Sequence, residues 1–144
     1  MPPRVLKLLD GVDLILHAGD VYAPQVLDEL EQLAPVLAAL GNGDLGLEQD
    51  RRVQRTHILS LGGLTIGLVH GLAYPFRPIS FTFGREVDVV VFGDTHVATI
   101  ERANGTLLVN PGSPTLPNNL VGVLGTVGFL EISDGQAQAK IVQL

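Results

Sequence analysis

The chain has 144 residues, a net charge of −6 and no cysteine. Disulfides, thiolate catalysis and cysteine-ligated zinc are therefore excluded. An acidic balance without clustered Lys and Arg argues against a large nucleic-acid interface. Hydrophobic residues make up 46% of the chain and charged residues 17%, which suits a packed globular core rather than disorder. The length fits a single domain spanning 1–144. Met1-Pro2-Pro3-Arg4 shows no apolar leader, and the apolar stretch from Leu120 to Leu130 is short and broken by glycines. A cytoplasmic protein without a membrane span is expected.

In chain order, the pattern predicts a short helix over Arg4 to Leu9 and an apolar strand over Val12 to His17 that runs into Ala18-Gly19-Asp20. Pro24 to Leu33 reads as an amphipathic helix with Val26, Leu27, Leu30 and Leu33 on one face. A strand over Pro35 to Leu40 ends at Gly41-Asn42-Gly43-Asp44. Arg52 to Leu61 and Leu64 to Val69 form a hairpin about Gly62-Gly63, a two-residue turn pattern. Its second strand ends at His70-Gly71. The aromatic-rich segment from Tyr74 to Phe83 reads as a loop leading to a short helix near Ser80 to Arg85. Val87 to Phe92 is a strand ending at Gly93-Asp94-Thr95-His96. The remainder reads as antiparallel β: Val97 to Arg102, Thr106 to Val109, Gly125 to Ile132 and Gln136 to Val142, with turns at Asn104-Gly105 and Asp134-Gly135. Strand and helix alternate early, and strands dominate late. The expected architecture is α/β, two sheets packed face to face with helices outside.

Four apolar strands thus end alike, at Asp20, at Asn42, at His70 and at Asp94 with His96. Ligands of α/β sheets bind outside the carboxyl ends of strands, so these residues should share one rim. Glycines beside them allow sharp turns and close backbone approach. The donors are oxygen and nitrogen only, which suits a divalent Mn, Zn, Fe or Ni ion. Each residue also has a plainer reading. Asp20 could cap the turn before the next helix, Asn42 could be a turn residue, His70 could be a rim histidine with no ligand, and Asp94 and His96 could cap a turn together.

The strings LILHAGD, GNGD, VHG, VVVFGDTH and LLVNPGSP resemble the calcineurin-like metallophosphoesterases, in particular the small phosphodiesterases that share their fold with a retromer subunit. The resemblance covers essentially the whole chain. It implies a two-sheet sandwich flanked by helices, in four αββα layers, and hydrolysis of a small phosphate-ester substrate by a metal-activated water. By the same resemblance Asp20 matches the carboxylate that bridges two metals. Asn42 and His70 match ligands of the second metal, and His96 matches the terminal histidine serving the first. Asp94 stands where a further histidine of the second metal is usual. Asn110 to Ser113 match a loop at the rim.

Three departures bear on activity. The opening Asp-x-His strand of the family has no counterpart, so one ion suits this chain better than two. Its absence also leaves ladder groups and apolar surface to be covered, by rearrangement, by homo-oligomer formation, or by residues upstream of a misplaced start, the explanation favoured here. Asp94 replaces a histidine, though a carboxylate can still ligate. Gly43 replaces the His or Cys that can protonate the leaving oxygen, and Asp44 could act on the site only through other groups. The expectation is a weakened phosphodiesterase, with Asp20, Asn42, His70 and His96 as its catalytic set. The rival expectation is an inactive protein-binding scaffold of the same fold. His17 is expected to be buried near the site without ligating, His57 to lie on the surface, Arg51 and Arg52 to be a solvated pair, Tyr74 and Phe76 to wall the pocket or pack in the core, and Asn110 and Ser113 to shape turns first and donate at the rim second.

Overall fold

The computed structural model describes all 144 residues. A helix at Pro3–Leu9 (α1) opens the chain, its proline at the first turn where no backbone N–H is needed. The strand Ile15–His17 (β1), the helix Pro24–Glu31 (α2) and the strand Val36–Ala39 (β2) form a parallel crossover, with Ile15 paired to Val36 and His17 to Ala38. Alternation along these strands divides their side chains. Ile15, Val36 and Ala38 pack against Leu27 and Leu30 of α2. Leu16, Leu37 and Ala39 turn the other way, toward Leu68 and Val91 of the neighbouring sheet.

The segment expected as one strand over Arg52 to Leu61 is two. Val53–Gln54 (β3) continues the first sheet beside β2, and Thr56–Leu61 (β4) belongs to another sheet. Arg55 is the residue at which the chain crosses between layers. The hairpin of β4 with Leu64–Val69 (β5) turns at Gly62 and Gly63, at φ 54° and 81°. Such positive φ at both turn positions matches the right-handed strand twist and favours glycine.

The large sheet has the order β4, β5, Val89–Val91 (β6), Thr106–Asn110 (β8) and Thr99–Ala103 (β7). β5, β6 and β8 are parallel, so the late part of the chain is not wholly antiparallel. The short helix Ile79–Phe83 (α3) ends at Gly84, at φ 68°. It covers the outer face of this sheet with Val69, Val90 and Leu108. The inner face carries Ile66, Val89, Leu107 and Val109.

Thr126–Ser133 (β9) and Gln136–Gln143 (β10) form a hairpin that packs on that inner face through Leu130, Ile132, Ala137 and Ala139. Its outer face packs with Val5, Leu8 and Leu9 of α1. Helices therefore flank two β layers, as expected. One layer is divided: β1–β2–β3 and β9–β10 make no ladder with each other, and β1 and β9 each keep an unpaired edge. Internal rearrangement has not rejoined the two pieces. No helix is long and apolar enough to cross a membrane.

Two polar groups overturn the sequence expectation. His57 is buried, and its Nε2–H donates to Ala38 O at 2.8 Å, tying β4 to β2 across the layers. Alternation on β4 turns this side chain inward, whatever the polarity of its neighbours. Arg52 is only 6% exposed. It meets Asp50 at 2.6 Å, Asp28 at 2.8 Å and Glu31 at 3.0 Å. Arg51 stays in solvent, paired with Glu31. The guanidinium fixes α2 against β3, and its hydrogen bonds hold the Asp50 carboxyl down at about 2.

Candidate metal site at the strand ends

The parallel strands of both layers point their carboxyl ends to one rim. β1 leads to Asp20, β2 to Asn42, β5 to His70, β6 to Asp94 and His96, and β8 closes on Asn110. All five residues expected at the site meet there. His70 Nε2 lies 3.6 Å from Asp20 Oδ2 and 3.5 Å from Asp94 Oδ1. His96 Nε2 lies 3.9 Å from Asp20 Oδ2. The Asn42 amide nitrogen donates to Asp94 Oδ1 at 3.4 Å. Asp20, Asp94 and His96 adopt positive φ, 55°, 67° and 58°. That backbone is uncommon outside glycine and aims side chains that a regular strand exit would not.

The supporting hydrogen bonds are specific. His70 Nδ1–H donates to Ala18 O at 2.7 Å. In the neutral imidazole this bond fixes the tautomer and makes Nε2 the lone-pair nitrogen, facing two carboxylates. That Nε2 is buried without a hydrogen-bond partner, and so is His96 Nδ1. Buried polar atoms without partners are rare and costly, and a lone pair between two carboxylates is what a cation satisfies. No trio of His, Asp and Glu side chains encloses a cation as it stands. Two ligands each about 2.1 Å from one ion stand about 3.0–3.4 Å apart, so the His70–Asp20 and His70–Asp94 edges are close to that spacing. His96 would have to approach, and half a turn of the Asn42 amide would present its oxygen.

Asp44 is buried and works on the loops: it accepts from Gly41 N at 2.7 Å and Tyr22 N at 2.9 Å. Asp20 Oδ1 accepts from Gly43 N at 2.9 Å. Asn110 is fully buried and does more than shape its own turn. Its amide donates to Gly93 O at 2.9 Å and Thr95 Oγ1 at 3.0 Å, bracing the loop that carries Asp94 and His96. Ser113 accepts from Leu116 N within its turn. His17 accepts from Gly19 N at 3.2 Å. Burial pushes its imidazole below the usual range, against the opposing pull of Asp44 and Asp20.

An open cleft of about 330 Å³ borders the cluster, lined by Asn42, His70 and Asp94 together with Arg55 and Thr56. Arg55 is the residue that the sequence reading missed. It looked like the interior of a strand, whereas the crossing between sheets delivers a guanidinium without an ion-pair partner to the cleft beside Asn42, His70 and Asp94. Phe76 does not wall this cleft: it is 92% exposed. Tyr74 packs toward Phe83 and Val90.

Residues 1–135 match the family model described as the calcineurin-like phosphoesterase superfamily domain. A probable metallophosphoesterase of Methanocaldococcus jannaschii is 39% identical over 149 residues, covering 100% of this chain and 73% of that protein. A phosphodiesterase of the same organism is 25% identical over 145 residues, covering 90% of this chain and 85% of that protein. Among solved structures, the vacuolar protein sorting 29 protein of Entamoeba histolytica, complexed with zinc, superposes with a TM-score of 0.74 at 23% identity over 99% of this chain and 89% of its own.

Proposed function

This chain belongs to the calcineurin-like phosphoesterase superfamily, and from that premise we propose that it is a metal-dependent phosphodiesterase with weakened turnover. The observation that most supports the reading is His70: its tautomer is set by Ala18 O, and its unpartnered Nε2 faces Asp20 and Asp94. The donor set fits one divalent ion held by Asp20, Asn42, His70 and Asp94, with Mn, Zn, Fe and Ni all compatible. Such an ion would supply positive charge to a phosphate oxygen and acidify a water.

The residues of the chain divide the remaining work. Asp20 Oδ2 faces both His70 Nε2 and His96 Nε2, at 3.6 and 3.9 Å, so one carboxylate serves both sides of the cluster. His96, whose Nε2 faces Asp20 Oδ2 at 3.9 Å, is the residue we assign to orient a phosphate oxygen. Arg55 draws the anionic ester into the cleft and orients it by charge-assisted hydrogen bonds. Asp44 and Asn110 keep the ligand loops in register without touching substrate. No side chain at Gly43 is available to protonate the leaving oxygen, which favours esters whose leaving group departs as a stable anion.

The test is colorimetric. Incubation with Mn²⁺ and an aryl phosphodiester should give slow, metal-dependent turnover. A version carrying an added Asp-x-His strand before Met1 should be at least about 10-fold faster, because a second ion restores the two-metal clamp. Equal and robust turnover by both versions contradicts the proposed weakening. A folded protein that neither binds Mn²⁺ nor turns over is instead the binding scaffold.

A further inference from the structure

The place of the missing side chain at Gly43 is taken. A Cβ on Gly43 would stand 2.7 Å from Tyr22 Cζ and 2.9 Å from Tyr22 Cδ1, inside any real contact. The ring of Tyr22 therefore lies over Gly43, and a side chain at 43 would displace it. Glycine at 43 and tyrosine at 22 are one coupled feature rather than a simple loss.

Tyr22 is held there. Its φ is 62°, an uncommon backbone for a bulky residue. Its N–H is bound by buried Asp44 at 2.9 Å, the same carboxylate that fixes the loop of Asn42 and Gly43. The side chain is nevertheless 69% exposed. The ring is close to the site. Gly43 N is 2.9 Å from Asp20 Oδ1, and a Cβ lies about 2.5 Å from its own nitrogen, so the ring edge reaches within about 8 Å of the Asp20 carboxylate. An aryl substituent on a phosphate ester held at Asp20 and His70 is long enough to span that distance.

We propose that Tyr22 is a specificity-determining residue, an aromatic wall that stacks against an aromatic group carried on the ester oxygen of the substrate. The substrate class is then aryl or nucleoside phosphodiesters rather than alkyl ones. This rests on the phosphoesterase reading above and extends it to the substituent. An exposed ring with one open face offers offset stacking to a flat partner, and stacking on nucleobases tolerates any base.

The test uses binding of non-hydrolysable ligands to the Mn²⁺-loaded chain. Phenylphosphonate and methylphosphonate differ only in the ring. Calorimetry should give the wild type an affinity for phenylphosphonate about 3- to 10-fold higher than for methylphosphonate. Tyr22→Phe should keep that preference. Tyr22→Ala should abolish it while leaving Mn²⁺ affinity and methylphosphonate affinity unchanged. If Tyr22→Ala weakens both ligands and Mn²⁺ alike, the residue is structural and the proposal fails. If methylphosphonate binds but the wild type shows no phenyl preference, the proposal fails while the phosphoesterase reading stands. If neither phosphonate binds the Mn²⁺-loaded wild type, that reading fails and takes this proposal with it.

Discussion

Two charged clusters in this molecule differ in how they are closed. At Arg52 three carboxylates approach to 2.6–3.0 Å, and the guanidinium's directed donors are taken up. At the strand ends, imidazoles and carboxylates stand 3.5–3.9 Å apart, and two buried ring nitrogens have no partner. The first cluster is complete within the protein and holds α2 to β3. The second is incomplete, and its free lone pair faces negative charge. Burial and charge alone do not separate structure from function; satisfaction of the hydrogen-bonding groups does.

Removing a member of each cluster should therefore have opposite consequences. The largest effect is expected for His70→Ala. Mn²⁺ affinity should fall about 100-fold, the upper end of what even outer partners cost a metal site, while loss of the bond to Ala18 O should lower stability by only about 1 kcal/mol. Isothermal titration and urea unfolding on the same preparations check both. A large stability loss without loss of metal affinity would place His70 with the structural group.

Arg52→Ala should do the reverse. It removes charge-assisted hydrogen bonds to Asp50, Asp28 and Glu31, and a loss of about 1.5–3 kcal/mol is expected. Much of Asp28 is in water, with its side chain 63% exposed, so the lower half of that range is the better expectation. Mn²⁺ affinity should not change. A weakened metal site in this variant would mean that the two clusters are coupled through β2.

The smallest effect concerns pH. The Asp50 carboxyl is lowered from 3.8 to about 2, first by the Arg52 hydrogen bond. A group lowered on folding contributes stability above its unfolded value and loses it as pH falls through the folded one. Its contribution is thus fully present above about pH 4 and is lost toward pH 2. Unfolding measured between these limits should be less steep in pH for Asp50→Asn than for the wild type. An unchanged slope would remove Asp50 from the closed cluster.

The strand-end residues were legible because each comes just after an apolar run, with a glycine adjacent or, for His96, three residues before it. Asp20, Asn42, His70, Asp94 and His96 could be read in chain order, and the structure brings them to one rim. Arg55, Tyr22, His57 and Arg52 were not legible in the same way. Arg52 to Leu61 carries no glycine or proline to mark the crossing at Arg55, so it reads as one strand. The meaning of Arg52 depends on carboxylates about twenty residues upstream on α2. The link between Tyr22 and Gly43 exists only once the Asp20 and Asn42 loops are side by side.

The amino-acid order by itself determined the alternation of strands and helices, the hairpin at Gly62-Gly63 and the chemical types at the strand ends, because periodicity and turn residues act locally. Tertiary structure alone decided that one β layer is divided, that Arg52 and His57 are interior, that Arg55 lines the cleft and that the Tyr22 ring overlies Gly43. Each of these depends on contacts between segments distant in sequence. Local pattern does not encode distances across a sheet, and those distances decide whether a polar group finds a partner or stays free for a ligand.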